Sequence, residues 1–161
     1  MKRNPFGFTL LELMIVICII AILTAVAAPT YHQWADNARY REAARDASSA
    51  LREAQSRAVS QNTSYSVVFD LVNKSYTLQK NGTTVEDDSF PNGLKIRGAG
   101  DCSQTSGSVA ITMNPNGSAD TSKYVCVMDG SGQKLYRAGV ESTATGRVVV
   151  QKWDGTKHNW Q

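Results

Sequence analysis

The stretch Phe8-Thr9-Leu10-Leu11-Glu12-Leu13-Met14-Ile15 opens an apolar segment that continues to Ala28 and is followed by Pro29. About 20 apolar residues are enough to cross the hydrocarbon core of a bilayer as a helix, so the segment predicts a membrane-length helix. The basic residues Lys2 and Arg3 precede it. Positive charge beside a membrane helix favours the cytoplasmic side, which places everything after Pro29 outside the cytoplasm.

Glu12 is the one charged residue between Phe8 and Ala28. A carboxylate at the centre of a membrane helix costs roughly 2.5–3.5 kcal/mol, so a partner of opposite charge is expected. A buried charge that has a partner is tolerated, whereas a buried charge that has lost its partner is strongly destabilising. Glu12 therefore predicts a contact that another molecule completes.

Gly7-Phe8-Thr9-Leu10-Leu11-Glu12 resembles the class III signal of type IV pilins and type II secretion pseudopilins. The resemblance implies a leader over residues 1–7, cleavage between Gly7 and Phe8 by a prepilin peptidase, and N-methylation of Phe8. It further implies an assembly helix over 8–29, in which Glu12 pairs with the N-terminal amine of a neighbouring subunit. The implied partners are other pilin or pseudopilin subunits, the peptidase and an inner-membrane assembly platform.

An ordinary secretory signal is the alternative, because Ala25-Val26-Ala27 also suits a signal peptidase cutting after Ala27. The product would then be a secreted protein, such as an enzyme, that begins at Ala28. The length of the apolar run and the presence of Glu12 disfavour this alternative, since cores of cleaved signals are shorter.

Residues 30–62 predict an amphipathic helix. No glycine or proline occurs from Tyr31 to Ser60, and small or apolar residues recur with helical spacing at Tyr40, Ala44, Ala47, Leu51, Ala54 and Ala58. Pro29 should bend the helix at the junction, because proline removes one backbone hydrogen bond. The interspersed arginines are expected to form a solvated face or contacts between subunits.

Residues 63–161 predict a β-rich domain. Period-two patterns predict strands at Tyr65–Asp70, Ser75–Gln79, Leu94–Arg97, Ser108–Met113, Lys123–Met128, Lys134–Val140 and Arg147–Trp153. Asn81-Gly82 and Asp129-Gly130-Ser131-Gly132 predict turns between strands, and Glu86-Asp87-Asp88 is expected to be a solvated acidic turn. The fold class is therefore α+β, with the helix packed on antiparallel sheets in a pilin-like or sandwich-like arrangement.

The order of these elements is similar to that of the GspH/FimT group of minor pilins and pseudopilins. Some members of this group bind DNA through a Gly-Arg-x-Arg signature, which would make the protein a DNA receptor at a pilus tip. Gly146-Arg147-Val148 matches the first part of the signature, but Val149 replaces the second arginine. The remaining candidates for DNA contact are Arg147, Lys152 and Lys157, and we expect them instead to keep a terminal strand soluble.

Cys102 and Cys126 lie in the exported part, where the compartment is oxidising, and they are expected to form a disulfide. Cysteine and histidine spacing typical of zinc sites is missing from the sequence, and so is the ligand spacing of a calcium loop. No nucleophile has a recognisable base. We therefore expect no metal, no cofactor and no catalysis.

The formal charge of +3 falls to +1 when Lys2 and Arg3 are removed, which does not indicate a general nucleic-acid binder. The sequence thus predicts a structural subunit anchored by a single span in the bacterial inner membrane, with its C-terminal domain in the periplasm. The subunit would then enter a type IV pilus or a type II secretion pseudopilus, two systems that share this signal.

Overall fold

The computed structural model describes residues 8–99 and 101–161, and for residues 26–30, 32 and 33 it describes the backbone alone. The predicted leader over residues 1–7, including Gly7, lies outside the described residues. The chain divides into two compact units, with the division after Ala38.

A single helix, α1 (Leu10–Gln61), begins in the first unit and ends in the second. The helical backbone continues through Pro29 without a break, so the bend expected there stays a prediction. At its C-terminus, Asn62 adopts a positive φ of 49°, and the Thr63 N–H donates to the Ala58 carbonyl at 3.1 Å. A left-handed residue with a bond of this kind satisfies carbonyls that a helix end would otherwise leave unpaired.

Within the described residues, the second unit contains nine strands after the helix. They are β1 (Tyr65–Asp70), β2 (Ser75–Lys80), β3 (Thr83–Ser89), β4 (Lys95–Gly98), β5 (Ser108–Met113), β6 (Tyr124–Met128), β7 (Lys134–Ser142), β8 (Arg147–Asp154) and β9 (Asn159–Trp160). A four-stranded sheet has the order β3-β2-β1-β5, and a five-stranded sheet has the order β4-β6-β7-β8-β9. All of the pairings are antiparallel, which confirms the predicted fold class.

The core of the second unit lies between the helix and the two sheets. Every predicted residue of the helical stripe from Ala44 onward is buried, and Tyr40 packs against the same cluster at its edge. The first sheet contributes Phe69 and Ile111, and the second contributes Val127 and Val140. Alanine on the helix brings the backbone close to both sheets, so a narrow stripe is sufficient to build the core.

Two strands differ from the sequence prediction. Glu86-Asp87-Asp88 was expected to be a turn, but it lies inside β3, which pairs with β2 across the Asn81-Gly82 turn. β3 is an exposed edge strand, and charges at an edge prevent pairing with other chains, which explains why acidic residues are tolerated there. β9 was not predicted; its two residues pair with Trp153 and Asp154.

Candidate functional site

The first turn of α1 has a side-chain cap. The Glu12 N–H donates to the Thr9 hydroxyl at 3.2 Å, and the Leu13 N–H donates to the Thr9 carbonyl at 3.3 Å. Threonine followed three residues later by glutamate is the pattern of a capping box, and this signal could have been taken from the sequence. Glu12 therefore lies in the first turn, where the positive end of the helix dipole favours an acid.

The helix surface from Phe8 to Ala25 is exposed at every residue. Most of it is apolar, and Phe8 and Leu10 are 80% and 76% exposed. A contiguous apolar surface of this size marks contact with a membrane or with other proteins. Within the described residues, no helix meets both the length and the hydropathy expected of a membrane span.

The three predicted DNA-contacting residues do not form one cluster. The Arg147 guanidinium pairs with the Glu141 carboxylate at 3.2 Å. Lys157 lies in the turn between β8 and β9, where its N–H donates to Asp154 at 3.2 Å. Lys152 lies in a different setting, in a groove beside the helix.

This groove, which we call the cationic groove, has a volume of about 590 Å³. Its cationic residues come from α1 and β8, and they are Arg41, Arg45, Arg52 and Lys152. The neutral residues that complete it are Ser48, Tyr136, Val150 and Gln161. No side chain among the described residues that line it is acidic. The groove therefore concentrates positive potential and favours an anionic ligand or surface.

A second cleft, which we call the acidic cleft, lies within the same unit and has a volume of about 260 Å³. Its carboxylates come from the helix and from β3: Asp46, Glu53, Glu86, Asp87 and Asp88. Arg57 donates to Glu53 at 2.6 Å and to Glu86 at 2.7 Å, so one cation offsets part of this charge.

The pKa values of two groups in the acidic cleft are raised. Burial raises the pKa of Asp46, and the nearby carboxylates of Glu42 and Asp88 raise it further. Burial also raises the pKa of Tyr76, as does Asp88, whose carboxylate accepts a hydrogen bond from the Tyr76 hydroxyl at 3.2 Å. In both groups burial is the larger cause, and the neighbouring carboxylates act in the same direction.

Cys102 and Cys126 form a disulfide, which confirms the predicted pairing. With Met128 they form a small buried cluster against which Trp160 packs. The disulfide thus joins β6 to the loop that follows β4, at the side of the second sheet where the C-terminal residues lie.

The tryptophans of the C-terminal segment contact cations of their own chain. The Lys134 ammonium lies 4.8 Å from the Trp153 ring, and the Arg137 guanidinium lies 4.8 Å from the Trp160 ring and 4.1 Å from the Tyr124 ring. Burial lowers the pKa of Arg137. Each of these cations occupies one face of its ring, so that face is not available for stacking on nucleic-acid bases.

Gly146 has a structural role that the sequence did not reveal. The Gln55 amide donates to the carbonyls of Gly117 at 2.8 Å and of Gly146 at 3.2 Å, joining the helix to two turns. Gly146 has a positive φ of 60°, and a Cβ there would collide with the Gly117 carbonyl and the Gln55 amide. The glycine of Gly146-Arg147 is thus required by packing.

Within the described residues, no group of three or more histidines, cysteines or carboxylates is arranged to hold a metal ion. The carboxylates of the acidic cleft are included in that statement.

Comparison with known proteins gives two findings. The family described as the prokaryotic N-terminal methylation motif matches residues 2–28. A crystal structure of the type IV minor pilin FimU from Pseudomonas aeruginosa superposes with a TM-score of 0.55 and 15% identity, covering 80% of this chain and 96% of that one.

The chain is pilin-like in both its N-terminal signal and its fold. A second crystal form of FimU gives the same result for this pilin-like chain, with a TM-score of 0.52, 16% identity, and coverage of 75% and 96% of the two chains. No curated protein matches the chain in sequence. The sequence match concerns the N-terminal residues 2–28, whereas the structural likeness concerns the fold.

Proposed function

We propose that this chain is a minor pilin, a structural subunit that enters a filament through its N-terminal helix. The observation that carries the proposal is the exposed apolar surface of residues 8–25, which lies within the methylation motif and carries one carboxylate in the first turn of the helix. Such a surface needs lipid before assembly and neighbouring helices afterwards.

The proposed processing follows from the motif. A prepilin peptidase cuts between Gly7 and Phe8, and the new N-terminal amine of Phe8 is methylated. The amine is then a cation one helical turn before Glu12, at the end of an apolar helix. Pairing between Glu12 of one subunit and the amine of its neighbour would compensate both charges and set the register of the two helices.

Mass spectrometry of the N-terminus, on protein purified from the native host, tests this proposal. We expect the mature chain to begin at a methylated Phe8. A chain that begins at Ala28 would identify the segment as a discarded secretory signal and would overturn the proposal, as would an uncut chain in membranes that contain an active prepilin peptidase.

We propose that the filament is a type IV pilus and not a type II secretion pseudopilus. The support is the likeness of the fold to the minor pilin FimU. Deletion of the gene should then reduce the number of surface pili recovered by shearing and leave the secretion of folded exoproteins unchanged. The opposite pair of results would assign the chain to a secretion pseudopilus.

Capture of DNA at a pilus tip is the second candidate. It is the weaker one, because Arg147 is paired with Glu141 and one face of each tryptophan ring is occupied, by Lys134 or by Arg137. The protein should not shift labelled DNA at low salt, and the Arg147→Gln and Lys152→Gln variants should behave like the unmutated chain. A salt-sensitive shift that both substitutions weaken would favour the receptor.

A further inference from the structure

Six of the nine charged residues on the second half of α1 fall into two parallel stripes. One stripe is Arg41, Arg45 and Arg52, and the other is Glu42, Asp46 and Glu53. In each stripe the steps are four and seven residues, which keep the side chains on one line of a helix. The acidic stripe is the basic stripe moved by one residue, or about 100° around the axis and about 1.5 Å along it.

The two stripes flank the face that packs on the core. The basic stripe forms one wall of the cationic groove, beside β7 and β8 of the second sheet. Asp46 and Glu53 of the acidic stripe form one wall of the acidic cleft, beside β2 and β3 of the first sheet. Each stripe is thus extended by residues of like charge, Lys152 on one side and Glu86 to Asp88 on the other.

Little inside the chain neutralises the basic stripe. Within the described residues, Arg41 and Arg45 make no ion pair with a carboxylate, and Arg52 donates to the Val148 carbonyl at 3.5 Å. All three are exposed. Three cations lie on a helical segment of twelve residues, with about 17 Å between its ends, and are therefore available to a partner that carries acids at matching intervals.

We propose that the cationic groove of one copy of this chain binds the acidic stripe of a second copy. The partner is identified by the shared spacing, because the acids of the second copy repeat the intervals of the cations that they meet. A contact between two different faces of the same molecule can be repeated from copy to copy without closing, as a filament requires. The inference deepens the proposed subunit role and rests on it.

Nucleic acid is the other polyanion that could enter the groove, and the charges of the unit favour a protein partner. Every copy that approached a phosphate backbone would also bring an acidic cleft with five carboxylates and a single compensating arginine. In contact with a second copy, the acidic cleft is instead part of the complementary surface.

Cross-linking between two tagged copies of the full chain in native membranes tests the contact while leaving every charge in place. Val150→Cys places a thiol in the cationic groove, and Ser49→Cys places one in the acidic cleft, both in a Cys18→Ser background. A short bismaleimide should join Val150→Cys to Ser49→Cys at least about tenfold more than it joins two Val150→Cys copies. Equal yields, or a higher yield for the like pair, would overturn the proposal.

Charge exchange supplies the second measurement. Arg41→Glu with Arg45→Glu in the Val150→Cys copy should lower the yield about tenfold, and Glu42→Lys with Asp46→Lys in the other copy should restore it to within about twofold. Lys123→Glu, which reverses an exposed cation outside the groove, is the matched control and should change nothing. Rescue also excludes misfolding as the cause of the loss, whereas failure of rescue contradicts the pairing.

The outcomes separate this inference from the proposed function. If Phe8 is methylated, the chain enters pili and the charge reversals leave cross-linking unchanged, the contact is wrong and the subunit role stands. If the N-terminus is unprocessed, the subunit role fails whatever the cross-links show. If the arginine reversals abolish retention of labelled DNA and spare the cross-link, the groove binds nucleic acid and the proposal is overturned.

Discussion

The position of Glu12 along the helix affects the free-energy cost of placing a charge there. The sequence alone suggested an acid inside a membrane-length helix, whereas the structure places it in the first turn, with its N–H capped by Thr9. An acid in the first turn of a helix interacts favourably with the positive end of the helix dipole.

Replacement of Glu12 tests the charge pairing. Glu12→Gln keeps the size of the side chain and removes the charge. Membrane insertion should be unchanged. Assembly into filaments should fall at least about tenfold, because loss of one partner leaves an unpaired cation in an apolar interface. Membrane fractionation and immunoblotting of sheared filaments measure the two effects. Glu12→Asp, which keeps the charge, should assemble better than Glu12→Gln; equal assembly of the two variants would contradict the pairing.

Asp46 makes the stability of the folded unit depend on pH. Its folded-state pKa is raised above the ordinary value of 3.8 by burial and by Glu42 and Asp88, so the ionised form is less favourable in the fold than in the unfolded chain. The resulting destabilisation is present at neutral pH. It decreases as the pH falls below the raised pKa and is gone below the ordinary value, where the carboxyl is protonated in both states.

Asp46→Asn should therefore raise the free energy of unfolding at pH 7. We expect a gain of no more than about 1 kcal/mol, because the side chain is partly solvated and water screens its neighbours. The gain should shrink as the pH is lowered toward 4. Urea unfolding followed by tryptophan fluorescence at several pH values measures this, and a variant that is less stable than the parent at pH 7 would show that the assignment is wrong.

At the scale of helices and strands, the spacing of apolar residues predicted the elements that have one face buried in the core. The alanine stripe from Ala44 to Ala58 was predicted because a buried helix face must repeat about every 3.6 residues. Strands β1 and β5 were predicted to the residue because inward-facing Val67, Phe69 and Ile111 alternate with less buried residues. Both patterns come from contact with the core.

The sequence did not predict β3, because this strand has no buried face. All seven of its residues are exposed, so no apolar alternation distinguishes it from a solvated turn. What makes it a strand is the backbone pairing with β2 after the Asn81-Gly82 turn, and hydrogen bonds between backbones do not require apolar side chains.

The charged surfaces could be predicted only in part. The sequence contains both helical stripes, but the joining of Arg41, Arg45 and Arg52 to Lys152 depends on which sheet lies beside which side of the helix. That arrangement is a property of the tertiary fold, since residues more than a hundred positions apart meet there. The C-terminal cations were grouped by closeness in sequence, whereas the structure disperses them.

Gly139 tests the close approach between β7 and the residues that enter β6. A Cβ at this position would collide with the Lys123 carbonyl and lie 2.7 Å from the Tyr124 Cα. Both are backbone atoms, so rotation of a side chain cannot relieve the clash. Gly139→Ala should therefore cost about 1–3 kcal/mol of stability. Gly155→Ala is the matched control, because nothing lies within 4 Å of its added Cβ, and it should stay within about 0.5 kcal/mol of the parent. Comparable urea midpoints for the two variants would contradict this account.

At the scale of the whole molecule, one covalent bond restrains the chain in addition to the core. The disulfide closes a loop between residues separated by 24 positions, so it limits the unfolded chain more than it adds contacts to the folded one. The loop contains β5, which belongs to the first sheet, whereas Cys126 lies in the second. The unfolded chain is thus restrained across segments that the fold distributes between both sheets.

Removal of the disulfide should lower the stability of the full chain by roughly 3 kcal/mol, the amount expected from loop-closure entropy. Cys102→Ala with Cys126→Ala in a Cys18→Ser background isolates this effect, because Cys102 has a φ of 64° and alanine keeps the same backbone cost. Urea unfolding in detergent micelles, followed by the fluorescence of Trp160 beside the disulfide, measures it. Because the restraint acts on the unfolded chain, its loss should also increase the dependence of stability on urea, as the unfolded chain exposes more surface. If the urea midpoints of the variant and of the reduced parent both equal that of the oxidised parent, the core alone determines the stability.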